Sequence, residues 1–217
     1  KMGHVKAVDM MTGALTDPFG NGHMGITAEN VAKAMSITRQ RQDELAYNSH
    51  LRATTAINAG YFKEQILPVV IQTGKKQKVF DTDEHCREQV RLQDFSKLKP
   101  AFDRDGTVTA GNSSGINDGA SALVLANKSA ISKYSMPVMA KIISYGVGGV
   151  APHLMGLGPI PAVKEALLIA ELNISQIDCI ESNEAFAAQA CAVAGELNFD
   201  PAKTNPNGGA IALGHLS

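Results

Sequence analysis

Residues 205–215 read Asn-Pro-Asn-Gly-Gly-Ala-Ile-Ala-Leu-Gly-His. Turn-forming residues come first, an apolar run follows, and a single histidine, His215, stands directly after a glycine. Gly208 and Gly209 permit backbone angles and close approaches that a Cβ would prevent. The pattern predicts a tight loop that presents an imidazole at the end of a structural element, where other loops can meet it.

A second polar cluster, Asn-Glu-Ala-Phe, occupies residues 183–186. It lies between a predicted strand, residues 179–181, and a predicted helix with an apolar face at helical spacing. Asn183 and His215 are therefore both expected at element ends, and we predict that their side chains converge on one site. For either loop alone, a glycine turn with a capping asparagine is an equal alternative.

Three further motifs accompany these two stretches. Residues 23–32 read HMGITAENVA, residues 106–119 read GTVTAGNSSGINDG, and residues 155–159 read MGLGP. With these motifs in this order, the sequence resembles the thiolase family, the acetyl-CoA acetyltransferases, over essentially its whole length. The family usually continues with proline after the Gly-His pair, whereas this chain continues with Leu216-Ser217.

The resemblance implies an α/β fold, in which two similar halves stack into five αβαβα layers and a loop domain is inserted in the first half. It places residues 1–115 in the later part of that loop domain, on the coenzyme A-binding side. It places residues 116–217 in the first part of the C-terminal half of the core. The family's two catalytic cysteines belong to segments outside this chain, so we expect an interior segment that is inactive alone.

The local patterns agree with an α/β class. Start and stop signals predict helices from Ala28 with Thr27 as cap, from Ser36 or Thr38 to near Gly60, and over residues 128–134 and 162–170. Strand signals predict a hairpin of residues 67–71 and 78–80, and further strands over residues 122–125, 138–145 and 179–181. Residues 1–26 are predicted to be irregular.

Composition narrows the functional classes. The chain has 217 residues, 44% of them apolar and 19% charged, with a net charge of −1. This balance argues against bulk attraction to nucleic acid or a membrane, and no apolar run reaches membrane-spanning length. Three cysteines without a paired spacing suit a reducing compartment. We therefore expect a cytoplasmic protein, and an organellar location after removal of a leader stays open.

The resemblance also implies the chemistry. Thiolases condense two acetyl-CoA to acetoacetyl-CoA, or cleave a short 3-ketoacyl-CoA with coenzyme A. His215 matches the family's active-site histidine, which activates the nucleophilic cysteine and lines an oxyanion hole, and Asn183 matches the asparagine that fixes a water there. Coenzyme A thioesters are then substrates, with no permanently bound cofactor and no metal, and the complete protein is expected to be a homodimer or homotetramer.

Seven further residues match positions that bind substrate in the family. Four of them are expected around the acyl group: His23, Met24, Met155 and Phe186. Ser114 matches a residue that bonds the pantetheine arm, Phe102 an aromatic packed along it, and Arg87 a residue near the adenine. Without the resemblance, each of these has an ordinary structural explanation in a core or on a solvated loop.

Three alternatives stay open. One is a degradative thiolase of broader chain length, although the His before Met-Gly favours short chains. Another is a thiolase-like module that binds acyl-CoA or lipid without turnover. The third is a hydrolase, because residues 111–115 fit G-x-S-x-G and Ser113, Asp178 and His215 follow a triad order. The strand-like run after Gly119 does not fit the strand-to-helix elbow of a hydrolase, and an S-x-x-K match at residues 96–99 lacks its companion motif.

Overall fold

The computed structural model describes residues 2–216. Its α-helices are α1 (Met10–Ala14), α2 (Met24–Ala34), α3 (Arg39–Ala59), α4 (Leu92–Phe95), α5 (Lys128–Tyr134), α6 (Pro159–Ala170), α7 (Ala187–Glu196) and α8 (Ala210–Leu213). Short 3₁₀ helices cover Pro152–Leu157 and Ile174–Gln176. The strands are β1 (Val69–Thr73), β2 (Lys76–Phe80), β3 (Ile116–Asn117) and β4 (His215–Leu216).

The long helix α3 has the ends that its sequence predicts. Thr38 is the N-cap, and its side chain accepts a hydrogen bond of 3.2 Å from the backbone N–H of Arg41. At the other end Gly60 adopts the left-handed conformation, with φ 77°, as the C-cap. An N-cap side chain satisfies a helix N–H that has no partner within the helix, and glycine takes a positive φ without a Cβ penalty.

Helix α2 begins one turn earlier than the sequence predicts. His23, and not Thr27, is the N-cap, and its Nδ1 accepts a hydrogen bond of 3.0 Å from the N–H of Gly25. Thr27 lies inside the first turn, where its hydroxyl donates to the carbonyl of Met24 at 2.7 Å. The prediction failed because histidine is not one of the common N-cap residues. The segment predicted to be irregular also contains α1.

Helix α7 lies at the centre of the molecule. Every residue from Ala187 to Val193 is buried, so this helix is covered on all sides. It packs against α2, α3 and α6, and α8 packs against α3. One core cluster joins Ile211 of α8 to Ala46 of α3 and Ala187 of α7. Residues 1–115 and 116–217 are thus packed together, and their division into two thiolase domains stays a prediction.

Two predicted strands are wrong. Residues 122–125 and 138–145 form no ladder in the described structure, and many of their apolar side chains are open to solvent: Leu123 is 86% exposed and Met139 is 96% exposed. Alternating or continuous apolar residues favour a strand, but a strand exists only when a neighbour satisfies its N–H and C=O groups. The strand predicted at residues 179–181 is reduced to a parallel bridge between Ile180 and Thr204.

The two small sheets differ in their relation to the site. Strands β1 and β2 form the predicted antiparallel hairpin, with Thr73 opposite Lys76 and Gly74 in the turn at φ 61°. Strands β3 and β4 are parallel, with Ile116 opposite His215. The second pair fixes the backbone of the histidine that the sequence singled out.

Candidate active site

The structure brings Asn183 and His215 together, as the sequence predicts. Nδ2 of Asn183 lies 3.3 Å from Nε2 of His215, although 32 positions separate the two residues. This distance allows a hydrogen bond from the amide to the imidazole when Nε2 carries no proton. Asn183 is exposed and His215 is half-buried, so a ligand can reach the pair.

The glycine-rich loop delivers His215 by packing tightly against its neighbours. Gly208, at φ 87°, lies so close to α3 that a Cβ would meet the backbone nitrogen of Ala53 at 2.8 Å. Helix α8 follows, and Gly214, at φ 99°, turns the chain out of it. The N–H of His215 then donates to the carbonyl of Gly115 at 3.3 Å. Positive φ and close approach both require glycine here.

Ser114 and the Asn183 loop are also joined. The backbone N–H and the hydroxyl of Ser114 both donate to the carbonyl of Ala185 at 3.0 Å, and the N–H of Ala187 donates to the carbonyl of Asn112 at 2.8 Å. The predicted pantetheine-binding serine is therefore bonded to Ala185, which lies two positions from Asn183 in the sequence. Its proposed role requires the hydroxyl to exchange or share that bond.

A largely apolar cavity of about 330 Å³ opens beside Asn183. Met24, Met155 and Phe186, all predicted around the acyl group, line it together with Asn183. His23 and Phe102 belong to the same region: their rings stack at 4.8 Å, and Phe102 meets Phe186 edge to face at 6.0 Å. Sequence reasoning missed further lining residues, and these include Thr27, Val163, Ile180, Glu181, Gln189, Val193 and Phe199.

Gln189 and Glu181 are two of the polar residues among the lining residues that sequence reasoning missed. Gln189 follows Phe186 by one helical turn on α7, and this spacing was the signal that could have found it. Its Oε1 is buried without a hydrogen-bond partner among the described residues. Burial and the charge of Glu184 raise the pKa of Glu181. No sequence pattern marked Glu181, because its neighbourhood depends on the packing of two loops.

Arg87 lines a second cavity, of about 280 Å³, that shares no lining residue with the first. His50, His85, Ser113 and Gly115 lie along the same wall. The site residues predicted from the sequence are thus divided: Asn183, Met24, Met155 and Phe186 line one cavity, and Arg87 lies in the other. Ser113 and Gly115, which flank Ser114 in the chain, line the second cavity.

The geometry does not support a hydrolase. The hydroxyl of Ser113 donates to the carbonyl of Thr109 at 2.7 Å, and Ser113 forms an antiparallel bridge with Phe186. Strand β3 follows Gly115, where a nucleophile elbow would begin a helix. The G-x-S-x-G match therefore lacks its structural context.

The chain's cysteines do not line either of these cavities. Cys191 is buried, and its burial raises the thiol pKa to about 11. Cys86 is half-buried against Thr54, and burial raises its pKa as well. A thiol with a raised pKa carries little thiolate near neutral pH, so these two side chains are poor nucleophiles. Within residues 2–216 no cluster of His, Cys, Asp and Glu is placed to hold a metal ion.

Comparison with known proteins gives a consistent result. Residues 1–129 match the model of the thiolase N-terminal domain, and residues 136–216 match that of the thiolase C-terminal domain. The sequence is 54% identical to the beta-ketothiolase BktB of Cupriavidus necator over 216 residues, which are 99% of this chain and 55% of that protein. It is 54% identical to an acetyl-CoA acetyltransferase of Escherichia coli over 193 residues, which are 89% and 49% of the two chains.

Solved structures agree with the sequence relatives. The crystal structure of the Bacillus anthracis acetyl-CoA acetyltransferase superimposes with a TM-score of 0.93 at 43% identity, covering 99% of this chain and 55% of that one. Human mitochondrial 3-ketoacyl-CoA thiolase in complex with CoA gives a TM-score of 0.91 at 43% identity, with coverage of 98% and 53%. The chain spans about half the length of these relatives. Among the described helices, none combines the length and apolarity that a membrane crossing requires.

Proposed function

The chain belongs to the thiolase family, and from this we propose that the complete protein is a thiolase-type acyltransferase. It condenses two acetyl-CoA to acetoacetyl-CoA, or cleaves a short 3-ketoacyl-CoA with coenzyme A. The fold is the α/β fold of the thiolases, as the sequence predicted. The observation that carries the proposal is the pair of Asn183 and His215, 3.3 Å apart beside an apolar cavity.

The proposed cleavage needs a place for negative charge. A cysteine thiolate of the complete protein attacks the 3-keto carbon, and the bond between C2 and C3 breaks. The electron pair of that bond forms the enolate of acetyl-CoA, which then takes up a proton. The thiol of free coenzyme A displaces the acyl group from the cysteine. Tetrahedral intermediates and the enolate both develop charge on an oxygen, so donors placed in advance lower the barrier.

Asn183 and His215 suit these roles. An imidazole exchanges a proton near neutral pH, so His215 can activate the thiol and place a donor at the developing oxyanion. The amide of Asn183 is neutral, so it can orient a water or the substrate oxygen without adding a charge that titrates. The 3.3 Å separation supports a joint action of the two side chains on one oxygen.

The two cavities fit the two ends of an acyl-CoA. The apolar cavity beside Met24, Met155 and Phe186 takes the acyl end. Arg87 and its cavity take the adenine nucleotide, because a guanidinium both stacks on a flat ring and attracts phosphate. Ser114 and Phe102 take the pantetheine arm between them, and His23, which stacks on Phe102, lies on the acyl side. Coenzyme A is a substrate in this account.

A thiolase of broader chain length is the second candidate. The apolar cavity of about 330 Å³ is larger than an acetyl group needs, and this observation favours longer acyl chains. The homo-oligomeric state and the cytoplasmic location are proposals that rest on the resemblance and on the composition. Light scattering on the purified complete protein measures the first, and cell fractionation measures the second.

The proposed function is tested with acetoacetyl-CoA and free coenzyme A. We expect the complete protein to remove the enolate absorbance of acetoacetyl-CoA only when coenzyme A is present. A matched series of longer 3-ketoacyl-CoA substrates separates the two candidates, because the short-chain enzyme should lose kcat/KM steeply with each added pair of carbons. Turnover of simple esters without loss of acetoacetyl-CoA would contradict both.

A further inference from the structure

The carboxylate of Glu184 is buried between three segments of the chain. The residue is 4% exposed. Its Oε1 accepts from Nδ2 of Asn205 at 2.8 Å, and its Oε2 accepts from the hydroxyl of Ser49 at 2.7 Å and from the N–H of Ile211 at 3.2 Å. None of the ion pairs among residues 2–216 includes Glu184. A buried carboxylate without a cation depends on its hydrogen bonds.

These bonds tie together the two loops of the candidate site. Glu184 follows Asn183 directly in the chain. Asn205 begins the glycine-rich loop, and Ile211 lies in α8, which ends one residue before Gly214 and the site histidine. Ser49 belongs to the long helix α3, so the carboxylate also fixes both loops to a rigid element.

The surroundings of Glu184 require an acceptor at both oxygens. The N–H of Ile211 can only donate. Asn205 cannot turn its amide around, because its Oδ1 accepts from the N–H of Ser182 at 2.7 Å while its Nδ2 donates to the carbonyl of Ser182 at 2.8 Å. A glutamine at position 184 has one acceptor oxygen, so its NH₂ group would face a donor in either orientation.

The glycine-rich loop also packs closely against the same carboxylate. A Cβ on Gly209 would overlap the Glu184 carboxylate. The N–H of Gly209 donates to the hydroxyl of Ser49 at 3.0 Å, while that hydroxyl faces Glu184. The carboxylate and Ser49 thus both contact Gly209, the N-cap of α8, whose last residue directly precedes Gly214 and His215.

We infer that Glu184 is a positioning residue, which holds the amide of Asn183 and the imidazole of His215 at bonding distance. Its side chain does not line the apolar cavity, so it acts through its neighbours and not on the substrate. The catalytic consequence rests on the proposed thiolase function. The geometric consequence, a fixed distance between the two site side chains, does not.

The test compares Glu184→Gln with the wild type in the complete protein. We expect kcat for acetoacetyl-CoA cleavage to fall by about 10- to 100-fold while KM changes by less than about 3-fold, because misplacing catalytic groups by about 1 Å costs that much without removing binding contacts. In crystal structures of both proteins, the Nδ2–Nε2 distance between Asn183 and His215 should lengthen in the variant.

Glu29→Gln is the matched control. Glu29 is also a carboxylate that accepts several bonds, from the N–H groups of Thr107 and Val108 at 2.8–3.0 Å, but it holds a different loop. The Glu29→Gln variant should lose about as much thermal stability as Glu184→Gln. It should keep the wild-type kcat and the wild-type distance between Nδ2 of Asn183 and Nε2 of His215. An equal fall of kcat in both variants would mean that Glu184 acts only through general stability, and the inference would be overturned.

Two further outcomes are separated by design. If the wild-type protein does not consume acetoacetyl-CoA, the proposed function fails, and the distance between Asn183 and His215 in the Glu184→Gln structure alone decides the inference.

If Glu184→Gln does not fold, Ser49→Ala replaces it, because this variant removes one donor to the carboxylate and the acceptor for the N–H of Gly209. Ser49→Ala should lower kcat by about 3- to 10-fold, as expected from a partial loss of positioning. Unchanged kcat and distance would overturn the inference.

Discussion

His50 gives the clearest pH-dependent prediction for this protein. The residue is 4% exposed, and its Nδ1 accepts a hydrogen bond of 3.2 Å from the backbone N–H of Arg87. Burial, followed by the positive charges of His85 and Arg87, lowers the pKa of His50 from 6.5 to about 4. Protonation of Nδ1 would also break this hydrogen bond, because the new N–H of His50 would face the N–H of Arg87.

The direction of the effect follows from proton binding. Between pH 6.5 and about 4 the unfolded chain binds a proton at His50 that the folded protein does not. The folded protein therefore keeps its full stability above pH 6.5 and loses this contribution as the pH falls toward 4. The difference between the two pKa values corresponds to a free energy of about 3 kcal/mol. Solvent that reaches the open cavity beside His50 reduces the expected loss of folding stability to about 2 kcal/mol.

The assay is denaturant unfolding of the complete protein at a series of pH values. His50→Gln keeps an acceptor for the Arg87 N–H but does not titrate, so between about pH 7 and about pH 4.5 it should lose about 2 kcal/mol less than the wild type. His4→Gln, which alters an exposed histidine, should follow the wild type. Parallel curves for the wild type and His50→Gln would refute the reasoning.

Four further predictions follow from the geometry. His215→Ala should lower kcat by at least about 100-fold in the thiolysis assay, as expected for a lost acid–base group. Asn183→Ala should lower kcat with little change in KM in steady-state kinetics, because its proposed contact forms in the transition state. Ile211→Ala should lower the free energy of unfolding by about 2–5 kcal/mol, since Ile211 is 2% exposed in the core beside the site. Cys191, whose thiol pKa burial raises to about 11, should resist iodoacetamide in the native protein and react after unfolding, as mass spectrometry can show.

Elements with strong local signals were predictable from the sequence. The ends of α3 follow from Thr38 and Gly60, and the hairpin of β1 and β2 follows from its turn at Gly74. The central helix α7 was predicted from its apolar spacing. In each case the deciding contacts lie within a few residues of one another, so the sequence pattern contains them.

Other features depend on distant partners and left no local signal. Residues 122–125 and 138–145 have the composition of strands, but the described structure offers them no ladder. The convergence of Asn183 with His215 was predictable because both residues were expected at element ends, in motifs that resemble those of a family. The positioning role inferred for Glu184 was not predictable, because its partner Ser49 lies 135 positions away and the two residues meet only in the folded structure.

The most direct test of the proposed thiolase function is the product analysis of acetoacetyl-CoA turnover. The complete protein is incubated with acetoacetyl-CoA and free coenzyme A, and the products are quantified by mass spectrometry. Thiolysis breaks the carbon–carbon bond, so two acetyl-CoA should form for each acetoacetyl-CoA consumed, and His215→Ala should slow both changes together by at least about 100-fold. Formation of acetoacetate and free coenzyme A, which requires only cleavage of the thioester, would contradict the proposed function.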